Sequence, residues 1–321
     1  VVSGPDGQLQ FNLFLENGSL YYRIKYKQQE MLESSPLGLV TSVSDFSKEL
    51  TYIEKKEQTI HETYYELKIK KSKVDYNANE LKVTFQNPKN EKFSVAIRVS
   101  NNDVAFKYVL EQNGAIANCV IEKELTGFTF PKGTTTFLTP QAPPVSGWKR
   151  TKPSYEEDYL PDSPIGTPSQ YGAGYTFPCL FRIGGNGWVL VSETGVTSLY
   201  CGSKLSEGTS DGQYSIAFPL EGENNGMGSV KPCISLPGET PWRTLTVSDN
   251  LKRVVETPKA FDVVKALYKP TVDYRYGRST WSWLLWQDAS INYNDQKTFI
   301  DLSSGLGYEY VRVDASWDKQ I

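Results

Sequence analysis

Histidine is almost absent from this sequence: His61 is the only one among 321 residues. It lies in the polar stretch 57–63, which reads as the face of a strand. A mechanism built on a serine, a histidine and an aspartate therefore has little support. Cysteine is scarce too, and Cys119, Cys179, Cys201 and Cys233 never fall in a C-x-x-C spacing. That argues against a zinc site; one or two disulfides are compatible with the spacing but not required in a chain this long. No apolar run approaches the ~20 residues of a membrane helix. The first seven residues, Val1-Val2-Ser3-Gly4-Pro5-Asp6-Gly7, are not a signal peptide. Positive charge is also missing as a feature. The net charge is −3, and Lys68-Ile69-Lys70-Lys71, the one basic run, reads as a solvated strand edge. Nucleic acid is thus a poor partner.

Aromatic residues are in surplus, with 20 Tyr, 14 Phe and 7 Trp. Such rings suit strand cores and also suit sugars, whose apolar faces stack on them. Residues 9–15 and 20–26 alternate apolar and polar around Asn17-Gly18, a hairpin signal. Residues 64–69, 80–86, 93–100 and 104–110 repeat the alternation, punctuated by Asn-rich turns. Strands are also expected at 177–183, 188–192, 214–218 and 244–247. Short strands at this spacing predict packed antiparallel sheets. Between Pro131 and Ser169 the chain turns rich in Pro, Gly, Thr and Ser. Trp148, Tyr155 and Tyr159 within that stretch argue for an ordered loop rather than disorder.

The pattern then switches. Ser248-Asp249-Asn250 can cap a short helix, and the aromatic run 279–286 reads as a strand. Asn294-Asp295 can cap a helix over 296–304, and 308–314 reads as a second strand. Strand, helix and strand in about 35 residues make a βαβ unit, which needs a parallel sheet around it. One such unit cannot bury both its faces, so the remainder of that domain is expected to lie outside this sequence.

The order of several motifs resembles family 97 of the glycoside hydrolases. They are Ser154-Tyr155-Glu156-Glu157-Asp158-Tyr159, Trp188-Val189-Leu190-Val191-Ser192-Glu193-Thr194-Gly195, Thr240-Pro241-Trp242-Arg243-Thr244, Gly277-Arg278-Ser279-Thr280-Trp281-Ser282-Trp283, and Asp295-Gln296-Lys297 through Asp314 and Trp317. The resemblance implies an antiparallel β-super-sandwich over 1–255, a linker at 256–268, and the first βαβ unit of a truncated (β/α)8 barrel over 269–321. It implies hydrolysis of α-linked glucosides or galactosides, an oligosaccharide substrate, a calcium ion, and a periplasmic or secreted location. Monomer and homodimer both remain open. The family's two catalytic carboxyl groups lie on later barrel strands, so none is carried onto this chain, and the chain alone is expected to be inactive.

By the resemblance, Glu193 is the expected calcium ligand; read by itself it is a solvated strand-end carboxylate. Trp281, Trp283, Trp286 and Gln287 fall near the end of the first barrel strand, where they either contact substrate or pack on the sandwich. Asp314 ends the second strand as a substrate contact or a strand-end acceptor. Glu156, Glu157 and Asp158 read as a solvated acidic loop face, and Trp242-Arg243 as a cation beside a ring. A different class of function stays open: a carbohydrate-binding or scaffold module without catalysis, since the fold alone does not decide function.

Overall fold

The computed structural model describes residues 1–67, 69–112, 114–143, 157–226, 228–268, 270–315 and 317–320. The expected features at Lys68, Trp148, Tyr155, Glu156 and Lys269 lie outside the described residues. Two compact units divide the chain, Val1–Lys265 and Ala266–Ile321.

The first unit is antiparallel β throughout. Asn17 (φ 51°) and Gly18 (φ 78°) both take the left-handed conformation that a two-residue hairpin demands. They join Leu9–Glu16 to Ser19–Tyr26 in full register, from Leu9 opposite Tyr26 to Glu16 opposite Ser19. Val2–Ser3 and Gln29–Leu37 complete that sheet. Leu9, Phe11, Leu20, Tyr22 and Ile24 alternate along its inner face and are buried. Facing it is a larger sheet of ten strands among the described residues. Its central run is Cys179–Ile183, Gly187–Thr194, Trp242–Ser248, Asp103–Leu110, Lys92–Val99, Lys73–Gln86 and Thr51–Tyr65. Val95, Ile97, Val104, Phe106, Val189, Val191, Leu245 and Val247 join the same core.

Rings weld the two sheets. Phe11 stacks on Tyr22 at 4.9 Å, and Phe106 tilts against them at 5.8 and 5.5 Å. The Tyr22 hydroxyl donates to the Gly127 carbonyl at 2.8 Å, so a buried polar tip is satisfied. Each such side chain fully buried contributes about 1.5–3 kcal/mol.

Most expected strands appear, with ends shifted by one or two residues. The largest difference is Thr51–Tyr65, a 15-residue strand of which 57–65 was expected and 51–56 was not. It forms one edge of the ten-stranded sheet and is exposed along nearly all its length, so its polar sequence carries no alternation to read. His61 lies on it, exposed, beside Asn77.

Residues 256–265, expected as linker, instead pack on the sandwich. Helix Leu251–Glu256 is capped by Asn250 and buries Val254; helix Lys259–Val263 buries Lys259 and Asp262. They cover the outer face of Trp242–Ser248 and Gly187–Thr194, where Lys259 Nζ donates to the Leu190 carbonyl at 3.3 Å.

The second unit pairs Ser279–Trp281 with Tyr310–Arg312 in parallel, with helix Tyr293–Gly305 between them in sequence. The expected βαβ unit is therefore present. The cap is Asn292, whose side chain accepts from the Asp295 amide at 3.1 Å, rather than Asn294-Asp295. The aromatic run stops being a strand at Trp281, and Trp283–Trp286 forms a helical turn. Thr280 ties strand to helix by donating to the Phe299 carbonyl at 3.1 Å and meeting Ser303 Oγ at 2.6 Å. Leu284, Leu285, Ile300 and Leu302 are exposed.

Candidate functional site

Parallel strands gather ligand-binding residues at their carboxyl ends. In the second unit that end carries Trp281 and, opposite it in register, Arg312. The Arg312 guanidinium lies 4.2 Å from the centre of the Trp281 ring. Two residues beyond Arg312, just past the end of the strand, Asp314 reaches the same ring. Asp314 Oδ2 accepts the Trp281 indole N–H at 3.0 Å, and its Oδ1 accepts the Ala315 amide at 2.7 Å. Trp281 also stacks on Trp283 at 5.5 Å with 20° between the planes. The Trp283 indole donates to Asp288 at 3.0 Å. Three of the residues expected to bind substrate, Trp281, Trp283 and Asp314, thus form one cluster.

Trp286 stands apart. Its ring meets Phe299 edge-on at 5.0 Å and packs on the long helix. Gln287, at φ 52° and ψ −150°, turns the chain there in a conformation that only glycine adopts freely. Beneath the cluster, buried Ser282 accepts from Gln296 Nε2 at 2.7 Å and from Ser290 Oγ at 2.8 Å, which fixes the turn. Arg312 was not singled out from the sequence, although its place two residues before Asp314 is a readable signal. An aromatic face, a carboxylate and a guanidinium in contact suit a hydroxyl-rich ligand, with ring stacking for C–H faces and charged groups for hydroxyls.

In the first unit, Glu193 sits opposite Arg243 on neighbouring strands. It is not a free strand-end carboxylate. Its Oε2 meets Arg243 Nη1 and accepts the Ser203 hydroxyl at 2.6 Å, while Oε1 accepts the Ser203 amide at 2.8 Å. Arg243 is fully buried, and Glu124 grips it in two parallel bonds, Nε to Oε1 at 2.8 Å and Nη2 to Oε2 at 2.6 Å. The Tyr200 hydroxyl donates to Glu124 Oε2 at 3.0 Å. Burial works against the Arg243 charge, but the carboxylate of Glu124 beside it holds its pKa above the usual guanidinium value. Burial, then the Glu124 charge, pushes Tyr200 up as well. Burial lifts the neighbouring Cys201 thiol to about 11.

The pairing read from Trp242-Arg243 needs correcting. The cations over the Trp242 ring are Arg98 and Lys107, at 5.1 and 4.4 Å, and the ring beside Arg243 is Tyr200. Adjacent strand residues point to opposite faces, so Trp242 and Arg243 cannot share a site. Glu157, from the acidic loop, accepts the Tyr171 hydroxyl at 2.8 Å, and Asp158 is exposed. All four cysteines are free thiols. No group of three or more His, Cys, Asp or Glu among the described residues is placed to hold a metal ion.

A family model for the N-terminal part of glycosyl-hydrolase 97 proteins matches residues 2–265. The probable retaining alpha-galactosidase of Streptomyces bingchenggensis (strain BCW-1) is 26% identical over 318 residues, covering 98% of this chain and 45% of its own length. The crystal structure of a beta-arabinopyranosidase is 53% identical with a TM-score of 0.94, covering 100% of this chain and 51% of the other. A glycoside hydrolase family 97 enzyme from Pseudoalteromonas sp. strain K8, bound to panose, superimposes with a TM-score of 0.78 at 19% identity, covering 98% and 48%. At that identity the likeness concerns the fold alone. This chain spans about half the length of each of these relatives.

Proposed function

The chain belongs to glycoside hydrolase family 97 through its N-terminal domain, and from that premise we propose that it is part of an enzyme hydrolysing pyranosides of galacto configuration. The observation that carries the proposal is the likeness, over the whole chain, to a beta-arabinopyranosidase. The alpha-galactosidase relative points the same way. An α-D-galactopyranoside and a β-L-arabinopyranoside share their ring stereochemistry and differ at C5, where only galactose carries a hydroxymethyl group. A pocket open at C5 accepts both; one filled there selects the arabinopyranoside. Of the two substrate classes expected from the sequence, this favours the galactoside side over the glucoside.

Hydrolysis of either bond uses two carboxyl groups, one as acid and one as base or nucleophile. Neither is assigned to a residue of this chain. In this reading Trp281 and Asp314 contact the sugar with Arg312 beside them, and Trp283 supports Trp281. Trp286 contributes packing through Phe299. A periplasmic or secreted location belongs to the same proposal. Among the described residues no helix is long and apolar enough to cross a membrane.

Calcium takes six to eight oxygen ligands. Glu193 offers one carboxylate, already engaged by Arg243 and Ser203. The described residues of this chain do not by themselves fit the ion. Glu193 remains proposed as one ligand among others supplied by the length that the relatives have and this chain does not span.

The test is a rate comparison on the full-length protein that carries this chain. The substrates are the nitrophenyl β-L-arabinopyranoside, α-D-galactopyranoside and α-D-glucopyranoside. The first two should turn over well ahead of the third, and the 321-residue chain alone should turn over none. Preference for the glucoside would refute the galacto assignment, and activity of the short chain would place the catalytic carboxyl groups within it.

A further inference from the structure

The strand Thr51–Tyr65 is the longest among the described residues, and it closes one edge of the ten-stranded sheet. It pairs with Lys73–Gln86 over almost its whole length, and among the described residues no strand pairs with its other side. Natural edges of this kind are blunted by proline, by bulges, by shortness or by a covering element. Here there is no proline, the one register shift falls at the start between Tyr52 and Glu54, and the residues from Thr51 to Thr59 are all exposed. Charge is the remaining guard, and it is ordered along the strand.

We propose that this edge is a docking surface for a second copy of the chain. The two strands add antiparallel about a two-fold axis at Thr59, continuing the sheet across the dimer. Residues directly opposite in an antiparallel pair share a face. Centred on Thr59, the pairing sets Lys56 against Glu62 and Glu57 against His61. The symmetry makes each of these contacts twice. Lys55 then faces Thr63, Gln58 faces Ile60, and no like charges meet between residues 54 and 64. Moving the centre by one residue loses this match. On Gln58, Glu54 opposes Glu62. On Ile60, no opposite charges meet at all, and Glu54 opposes Glu66. A centre on Glu57 sets that carboxylate against itself. Among centres from Glu57 to Ile60, only Thr59 brings opposite charges together without opposing like ones.

The charged groups are free to exchange partners. Lys56 now pairs with Glu54 at 3.3 Å, with 73% and 52% of the two side chains exposed, and Lys55 pairs with Glu57 at 2.7 Å at similar exposure. Ion pairs this exposed contribute little, so giving them up for the partner's Glu62 costs little. One face of the strand is already anchored. Ile60 is buried with Val74, Tyr76 and Ala78, and the Tyr64 hydroxyl is held by Asp262 at 2.7 Å, so the edge is presented on a fixed support.

The measurement is sedimentation equilibrium on the chain as it stands, and on Lys56→Glu, Glu62→Lys and the double exchange. All four are first shown by circular dichroism to be folded. The unaltered chain should form dimers. Each single reversal places two like-charge contacts across the axis and should raise the dimer Kd by about tenfold or more. The double exchange restores both contacts and should return Kd to within about threefold of the original. A chain that stays monomeric into the ~100 μM range, weaker than stable interfaces of this kind, overturns the proposal. So does a dimer indifferent to the reversals, which would be held by another surface, or a double exchange no better than the single ones.

Discussion

Replacing Arg243 with methionine tests the buried network around Glu193. The substitution keeps the volume and removes the charge. It leaves Glu124, whose side chain is fully buried, and Glu193, 12% exposed, without their cation. It also deletes both bonds of the two-pronged Glu124 grip and the bond to Ser203 at 2.9 Å. Taking one partner from a buried ion pair costs about 3–5 kcal/mol, most of it the stranded charge. For a unit of this size each kcal/mol moves the melting point by about 2–4 °C, so a loss of about 6–20 °C is expected. The follow-up separates the causes. If a stranded carboxylate is the main cost, adding Glu124→Gln to Arg243→Met should recover stability, although one more group has changed. As a control, Lys231→Met removes the exposed pair with Glu122 and should move the melting point by no more than about 2 °C. Calorimetry or fluorescence melts of the chain suffice. A loss under about 1 kcal/mol for Arg243→Met, or a double variant no more stable than the single, would refute the reasoning.

Asp262 should make the docked helices at 251–263 sensitive to pH. Burial lifts its carboxyl pKa to about 6 even though Tyr64 donates to it. A raised acid favours the folded state below its unfolded pKa near 3.8, and that advantage is lost as the pH rises through about 6, by up to about 3 kcal/mol. Amide protection factors at 251–263, taken relative to the intrinsic exchange rate at each pH, should therefore be lower at pH 7 than at pH 4, and Asp262→Asn should flatten the difference. A slope unchanged in that variant would assign it to another group. Gln296 donates to Ser282 and to the Ser290 carbonyl at 2.8 Å, so Gln296→Ala should weaken the second unit by about 1–3 kcal/mol, read as faster proteolysis within 266–321. Adding or chelating calcium should leave the melting point of this chain unchanged within about 2 °C, because one carboxylate is not a site. Thiol titration should find Cys233 reactive in the folded chain and Cys179 silent, since Cys179 is buried and its pKa is raised by that burial; all four should react in denaturant.

The strands legible in the sequence were those with one wet and one dry face. Leu9–Glu16 and Ser19–Tyr26 announce themselves because burial falls on alternate residues and the Asn17-Gly18 turn needs the conformation these residues supply. The start of Thr51–Tyr65, residues 51–56, was hidden because both its faces are wet, and a stretch with no buried stripe has no period to detect. The run 279–286 failed for the opposite reason. Its apolar residues are continuous, and a continuous run fits a strand or a helix equally well. What decides it is Ser282, whose carbonyl accepts the amides of Leu285 and Trp286 at 3.0 and 2.9 Å and starts a helical turn.

The site shows the same division. Trp281 and Asp314 were legible because strand ends in a βαβ unit have a known place, and Arg312 was within reach of the same logic. The setting of Glu193 was not. Its partner Arg243 is 50 residues away, and the second carboxylate on that guanidinium, Glu124, is 119 residues from Arg243. No local pattern links three positions on three strands from two sheets. Their contact exists only because the large sheet sets Glu193 beside Arg243 while the strand Asn118–Glu124 reaches the same buried end. That geometry also bounds what Glu193 can do. Any ion it helps to hold must draw on a carboxylate already committed to Arg243, so the affinity of such a site is tied to how firmly Glu124 keeps that arginine in place. On the proposal that Glu193 is one calcium ligand, Glu124→Gln in the full-length protein should alter calcium affinity without touching the ion. An affinity unchanged in that variant would show that Arg243 and Glu193 act independently.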